Sequence, residues 1–196
     1  AALLAAKEAC DLPVFVSNAY SENGKLMTGA DPAAMVAMLE GMGADAIGVN
    51  CSLGPKQLSK VVDEYLKYAS VPVLVKPNAG LPAIKDGKTV YNVLPDEFSE
   101  DVSEFIKKGV RIAGGCCGTT PAHINAVVTK TKDMTPVEIG MKHFTYVSSY
   151  THAVIFDRSP ILIGERINPT GKKRLKQALV EKDMDYILDQ GISEQE

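Results

Sequence analysis

Residues 45–55, DAIGVNCSLGP, lead a short apolar strand through a cysteine into the start of a helix. The run AIGVN carries almost no polar side chain until its last position, as a strand covered on both faces must. Gly54-Pro55 then turns the chain and places a proline at the first helical position. The same order recurs on either side. Upstream, LPVFVS (12–17) precedes Asp31-Pro32, an N-cap and first-turn proline opening DPAAMVAMLEGMG (31–43). Met35, Met38, Leu39 and Met42 fall at the spacing of one helix face. Downstream, Leu58, Val61, Val62, Tyr65 and Leu66 form the buried stripe of the helix begun at Pro55. VPVLVK (71–76) is the next strand and ends in Pro77-Asn78-Ala79-Gly80. After a longer loop, PDEFSEDVSEFIKKG (95–109) reads as a helix closed by Gly109. A fourth strand over 110–113 runs into Gly114-Gly115-Cys116-Cys117-Gly118, and Thr120-Pro121 opens a helix to about Lys130. Four strand–helix units of this kind predict an α/β fold with a parallel sheet, either a (β/α)8 barrel or a doubly wound sheet. In both, the loops after the strands carry the active site.

Residues 131–159 lose the alternation and read as a connector with some strand character in HFTYVSSY (143–150). From Pro160 a new strand, polar turn and amphipathic helix begin. The chain has 196 residues, 45% of them apolar, with 21 basic and 24 acidic side chains and a net charge of −3. That balance argues against a nucleic-acid or anionic-membrane surface. No apolar run approaches the ~20 residues of a membrane span. The N-terminus lacks the basic and apolar regions of a signal peptide, so a cytoplasmic location is expected.

The four cysteines do not read as two disulfides, because Cys116 and Cys117 are neighbours and a cytosolic chain of this size needs no staples. Cys51, Cys116 and Cys117 follow two different strands, while Cys10 precedes the first, at the opposite end of the sheet. Three thiolates without a fourth protein ligand are the pattern of an open, catalytic zinc site, and a thiol arriving there is deprotonated near neutral pH. Asn78 ends the intervening strand. Plainer readings stay open. Cys51 alone suits a small buried apolar side chain. The glycine-rich turn suits a phosphate, the adjacent cysteines a redox pair, and Asn78 a simple turn. His123 reads as structural, and His143 and His152 carry no assignment.

GVNCSLGP (48–55), VKPNAG (75–80) and GGCCGTTPAHI (114–124) closely resemble the homocysteine-binding domain of cobalamin-dependent methionine synthases and the wider homocysteine S-methyltransferase family. The resemblance covers about residues 11–130. It implies a (β/α)8 TIM barrel, of which residues 1–130 would be the C-terminal half, and a catalytic Zn2+ held by Cys51, Cys116 and Cys117. Asn78 matches an asparagine that approaches this zinc when substrate is absent, and Ser17, with Asn78, stands where substrate contacts are expected. ILIGERINPTGKKRL (161–175) resembles the opening of the pterin-binding barrel, so residues 160–196 would begin that second barrel, with Glu165 and Asn168 as pterin contacts. On this resemblance the parent enzyme transfers a methyl group to homocysteine. Methylcobalamin is the immediate donor and 5-methyltetrahydrofolate the upstream one. The chain would be a fragment with little or no turnover, whose partners are homocysteine and the parent's remaining domains. Two rival readings remain at this level. One is a cobalamin-independent relative using betaine or S-methylmethionine. The other is a non-catalytic zinc-binding half-barrel that dimerises through its open edges.

Overall fold

The computed structural model describes residues 1–157, 160–164 and 166–195. They divide into two compact units, Ala1–Asp157 and Arg158–Glu196. In the first, helix α1 (Ala2–Ala9) precedes strand β1 (Phe15–Asn18), α2 (Pro32–Gly41), β2 (Ala46–Asn50), α3 (Pro55–Tyr68) and β3 (Val73–Lys76). A short hairpin, β4 (Ala83–Lys85) and β5 (Lys88–Val90), leads to α4 (Pro95–Lys108), β6 (Ile112–Ala113) and α5 (Pro121–Thr131). A second hairpin, β7 (Tyr146–Ser148) and β8 (Ala153–Ile155), follows.

Strands β1, β2, β3 and β6 pair in that order, all parallel. The architecture is therefore α/β with a parallel sheet. Four helices begin with proline in the first turn, at Pro32, Pro55, Pro95 and Pro121, where the missing N–H costs nothing. Asp31 caps α2 by accepting the Ala34 N–H at 2.8 Å. Gly109 ends α4 at φ 126°, a conformation side chains avoid.

The main core lies between the sheet and α2 and α3, with Val36, Ile47, Leu58, Val62, Tyr65 and Val75 fully buried. A smaller cluster joins Phe98 and Val102 of α4 to Val127 of α5. The α3 stripe is buried as its spacing predicts, with Leu66 at its margin. Helix α2 departs from its expected face, since Met38 is exposed while Ala34 and Val36 are buried. The β7–β8 hairpin also packs on α2, so the helix is covered from more than one direction and a single stripe does not describe it.

The fourth strand is shorter than expected. The Val110 N–H turns back to Phe105 O, and pairing with β3 is carried by β6 and by the flanking Arg111 and Gly114 amides. The second unit contains α6 (Lys173–Glu181) and α7 (Met184–Gln195). The strand expected to open it does not form. Residues 160–164 take no regular structure and Leu162 is 95% exposed, because no other strand among the described residues of this unit offers a ladder to pair with. Among the described residues, no helix is long and apolar enough to cross a membrane.

Candidate metal centre

Sheet order places β3 between β2 and β6, so the loops leaving these three strands meet at one end. Backbone bonds lace them together. The Cys51 N–H donates to Lys76 O at 3.0 Å, Asn78 N–H to Leu53 O at 3.0 Å, and Cys116 N–H to Pro77 O at 2.8 Å. The Ala79 N–H donates to Cys117 O at 2.9 Å. Three thiols converge as a result. Cys51 Sγ lies 3.6 Å from Cys117 Sγ, Cys116 Sγ lies 3.9 Å from Cys117 Sγ, and all three fall within 4.8 Å of one another.

These spacings fit a tetrahedral thiolate site. Zinc–sulfur bonds of about 2.3 Å put neighbouring sulfurs about 3.8 Å apart, so two edges already match and the third closes by about 1 Å at most. Cys51 and Cys116 are partly buried and Cys117 is exposed, which leaves one side of the cluster open. A cavity of about 480 Å³ is lined by Ser52 and Leu53, the two residues after Cys51, with Tyr20, Met27 and Leu81 among others.

The surroundings treat the sulfurs unequally. The Ser52 N–H, against the effect of burial, holds the Cys51 thiol below its ordinary pKa, helped by Cys116, Cys117 and the Asn78 side chain. Burial, then hydrogen bonds donated to Cys51 and Cys117, pushes the Cys116 thiol up to about 11. Asn78 is buried, at 3% exposure, and its Oδ1 accepts the Cys117 N–H at 3.1 Å. Asn78, the asparagine that the resemblance places near a metal, thus fixes the cysteine loop.

The backbone at the first cysteine is strained. Cys51 (φ 59°) and Ser52 (φ 58°) are successive non-glycine residues in the left-handed region, which costs each about 1 kcal/mol. That turn swings the Ser52 amide back onto the Cys51 sulfur. Ser52 is exposed. Ser52→Gly is expected to raise stability by about 0.5–1 kcal/mol, and Ser52→Val to lower it by more, read as opposite shifts of the urea midpoint.

The other predicted residues lie apart from this cluster. Ser17 sits in β1 opposite Gly48. Asn168 Oδ1 accepts the Thr170 N–H at 2.9 Å within its turn in the second unit. Glu165 lies outside the described residues. His123 is buried; its Nδ1 accepts the Thr120 N–H at 3.2 Å, so Nε2 carries the proton and donates to Val93 O at 3.0 Å. Sequence reasoning passed over Tyr91, whose ring lies against Gly118, next to Cys117, as the chain returns from the β4–β5 hairpin. Its signal was Asp86-Gly87 flanked by AIK and KTV, a two-residue hairpin pattern that brings the returning strand back to the sheet end.

The profile of the homocysteine S-methyltransferase family matches residues 1–131. Methionine synthase from Mycobacterium leprae is 39% identical over 187 residues, and that from Mycobacterium tuberculosis is 36% identical over 181. Each alignment covers 91% of this chain and 15% of the relative, so the chain spans about 15% of the length of those proteins. Among solved structures, the homocysteine methyltransferase MmuM from Escherichia coli superposes in its apo form with a TM-score of 0.53 at 23% identity. That match covers 66% of this chain and 44% of the other. Its metallated form gives 0.52 at 24%, over 66% and 39%.

Proposed function

Because the chain belongs to the homocysteine S-methyltransferase family, we propose that it activates the thiol of homocysteine for methyl transfer, with Cys51, Cys116 and Cys117 holding a zinc ion. The supporting observation is the convergence of three sulfurs from two strand ends, two of their separations already at the edge length of a tetrahedral site, with no fourth protein ligand in the set among the described residues. When bound, the ion supplies the Lewis acidity that lets a substrate thiol ionise at neutral pH.

The chain's own residues do the rest. Three cysteine thiolates outweigh the charge of a dication, so a sulfur delivered to the open side keeps its electron density and its nucleophilicity. The Ser52 amide and the Asn78 side chain stabilise negative charge on Cys51. Asn78 also fixes the Cys117 backbone, and with it the direction of that sulfur. The cavity lined by Ser52 and Leu53, the two residues after Cys51, offers room for an amino-acid substrate.

Methylcobalamin as immediate donor and 5-methyltetrahydrofolate as upstream donor complete the reading. Similarity to methionine synthases runs over 187 residues, beyond the 131 matched by the family profile. This favours residues 160–196 as the opening of a pterin-binding barrel over a betaine or S-methylmethionine route. Residues 1–130 would then be half of a (β/α)8 barrel.

Metal analysis and homocysteine titration of the cobalt-substituted chain test the proposal. The expected result is about one tightly held ion per chain and an absorption change with homocysteine that serine or homoserine does not produce. A chain that holds no metal, or whose cobalt spectrum ignores homocysteine, overturns it.

A further inference from the structure

Cys116 and Cys117 lie in the turn between β6 and α5, and that turn is held at both ends. At its start the Cys116 N–H donates to Pro77 O at 2.8 Å, and the Ala79 N–H donates to Cys117 O at 2.9 Å. At its end the Thr120 N–H donates to His123 Nδ1 at 3.2 Å. An accepting Nδ1 leaves the proton on Nε2, which donates to Val93 O at 3.0 Å. The Val93 N–H in turn donates to Ala79 O at 3.0 Å.

These bonds close on themselves. From Cys117 the path runs to Ala79, Val93, His123 and Thr120, and it returns to Cys117 along the chain through Thr119 and Gly118. Every link is backbone except the imidazole. His123 is 6% exposed and Ala79 1%, and the Phe98 ring packs edge-on against the imidazole at 5.4 Å. Water therefore cannot readily replace a lost partner, and opening the circuit leaves the Val93 carbonyl without its donor.

We infer that His123 is a positioning residue of the three-thiol centre, its imidazole closing the circuit that fixes Cys117. The inference rests on the metal-binding reading above. Asn78 Oδ1 accepts the Cys117 N–H and Ala79 donates to the Cys117 carbonyl, so both peptide groups flanking this ligand are anchored. Ala79 is itself held through Val93 by His123. Imidazole suits the place because it presents one acceptor and one donor across a rigid ring. Ligands aimed in advance lose less freedom when an ion arrives, which is how outer groups raise metal affinity.

The test compares the full chain with His123→Asn, His123→Gln and His123→Leu. Three quantities are read: zinc affinity by chelator competition, the cobalt spectrum, and amide exchange at Ala79 and Val93 in the metal-free chain. Asparagine keeps an acceptor near Thr120 but is too short for Val93. Glutamine carries an acceptor and a donor with the reach for both, and leucine offers neither. His123→Asn and His123→Leu are expected to weaken zinc about ten-fold, alter the cobalt spectrum and speed exchange at both amides, while His123→Gln recovers most of the affinity. Wild-type affinity and spectrum in His123→Asn overturn the inference. So does a His123→Gln chain as impaired as His123→Leu, since that assigns the imidazole to packing on Phe98. If either His123→Asn or His123→Leu fails to fold, the other is set against His123→Gln on the same terms, and equal affinities overturn the inference. A wild-type chain that takes up no metal is a separate result that removes the metal-binding reading. Unchanged amide exchange in His123→Asn then removes the circuit as well.

Discussion

Cys116→Ser is expected to reduce the metal content of the purified chain from about one ion to a small fraction of that. Serine preserves the local backbone, because the Cys116 amide still donates to Pro77 O and its carbonyl still accepts from Thr119. What changes is one ligand atom. A hydroxyl stays protonated where a thiol ionises, so the site loses one negative charge and one soft donor together. Apparent zinc affinities of about 10–16 kcal/mol for full thiolate or imidazole sets imply several kcal/mol per ligand, and hence a loss of at least about 100-fold. Cys51→Ser and Cys117→Ser are expected to behave alike. Cys10→Ser is the control. That thiol is exposed at the end of α1, where it donates to Ala6 O at 3.5 Å. Zinc quantified in each variant after dialysis against a weak chelator decides the matter. Undiminished metal in Cys116→Ser would remove the basis of the proposed chemistry.

The second large effect lies in the sheet. Gly48→Ala is expected to prevent the first unit from folding, or to destabilise it by about 3 kcal/mol or more. Gly48 pairs with Leu74 in the middle of the β2–β3 ladder. A Cβ there would sit 1.9 Å from the Leu74 carbonyl oxygen and 2.8 Å from the Leu74 backbone carbon and nitrogen. These are backbone atoms of a central strand, so no side chain can rotate away. Relief requires β2 and β3 to separate, and ladder bonds are lost with the packing of Ile47, Val49 and Val75. The same movement would pull Cys51 away from Asn78 and the Cys116–Cys117 loop. Thermal unfolding and zinc content should therefore fall together. A Gly48→Ala chain with an unchanged melting temperature would show that the strands can yield without cost.

Several features were readable locally because their causes are local. Pro32, Pro55, Pro95 and Pro121 start helices through the fixed φ of proline, and Gly109 ends one through its freedom at positive φ. The stripe of α3 was readable because that helix buries one face. A single buried face did not describe α2 because a hairpin from residues 146–155 also covers that helix, and nothing near it in sequence announces the hairpin. A strand over 161–164 failed for the converse reason: apolar residues form a strand only when another offers its backbone, and here none does among the described residues.

The amino-acid order alone determined that the first unit alternates parallel strands with helices and that its asparagines and paired cysteines follow strand ends, since periodicity and turn chemistry act over a few residues. Neighbour order in the sheet, with β3 between β2 and β6, was decided by long-range packing, and only that order brings residue 51 to residues 116 and 117. The folded chain likewise committed the Asn78 oxygen to the Cys117 amide and brought Tyr91 over Gly118. Such contacts depend on side-chain direction and backbone strain at loops held by three different strands, which no single stretch of sequence encodes.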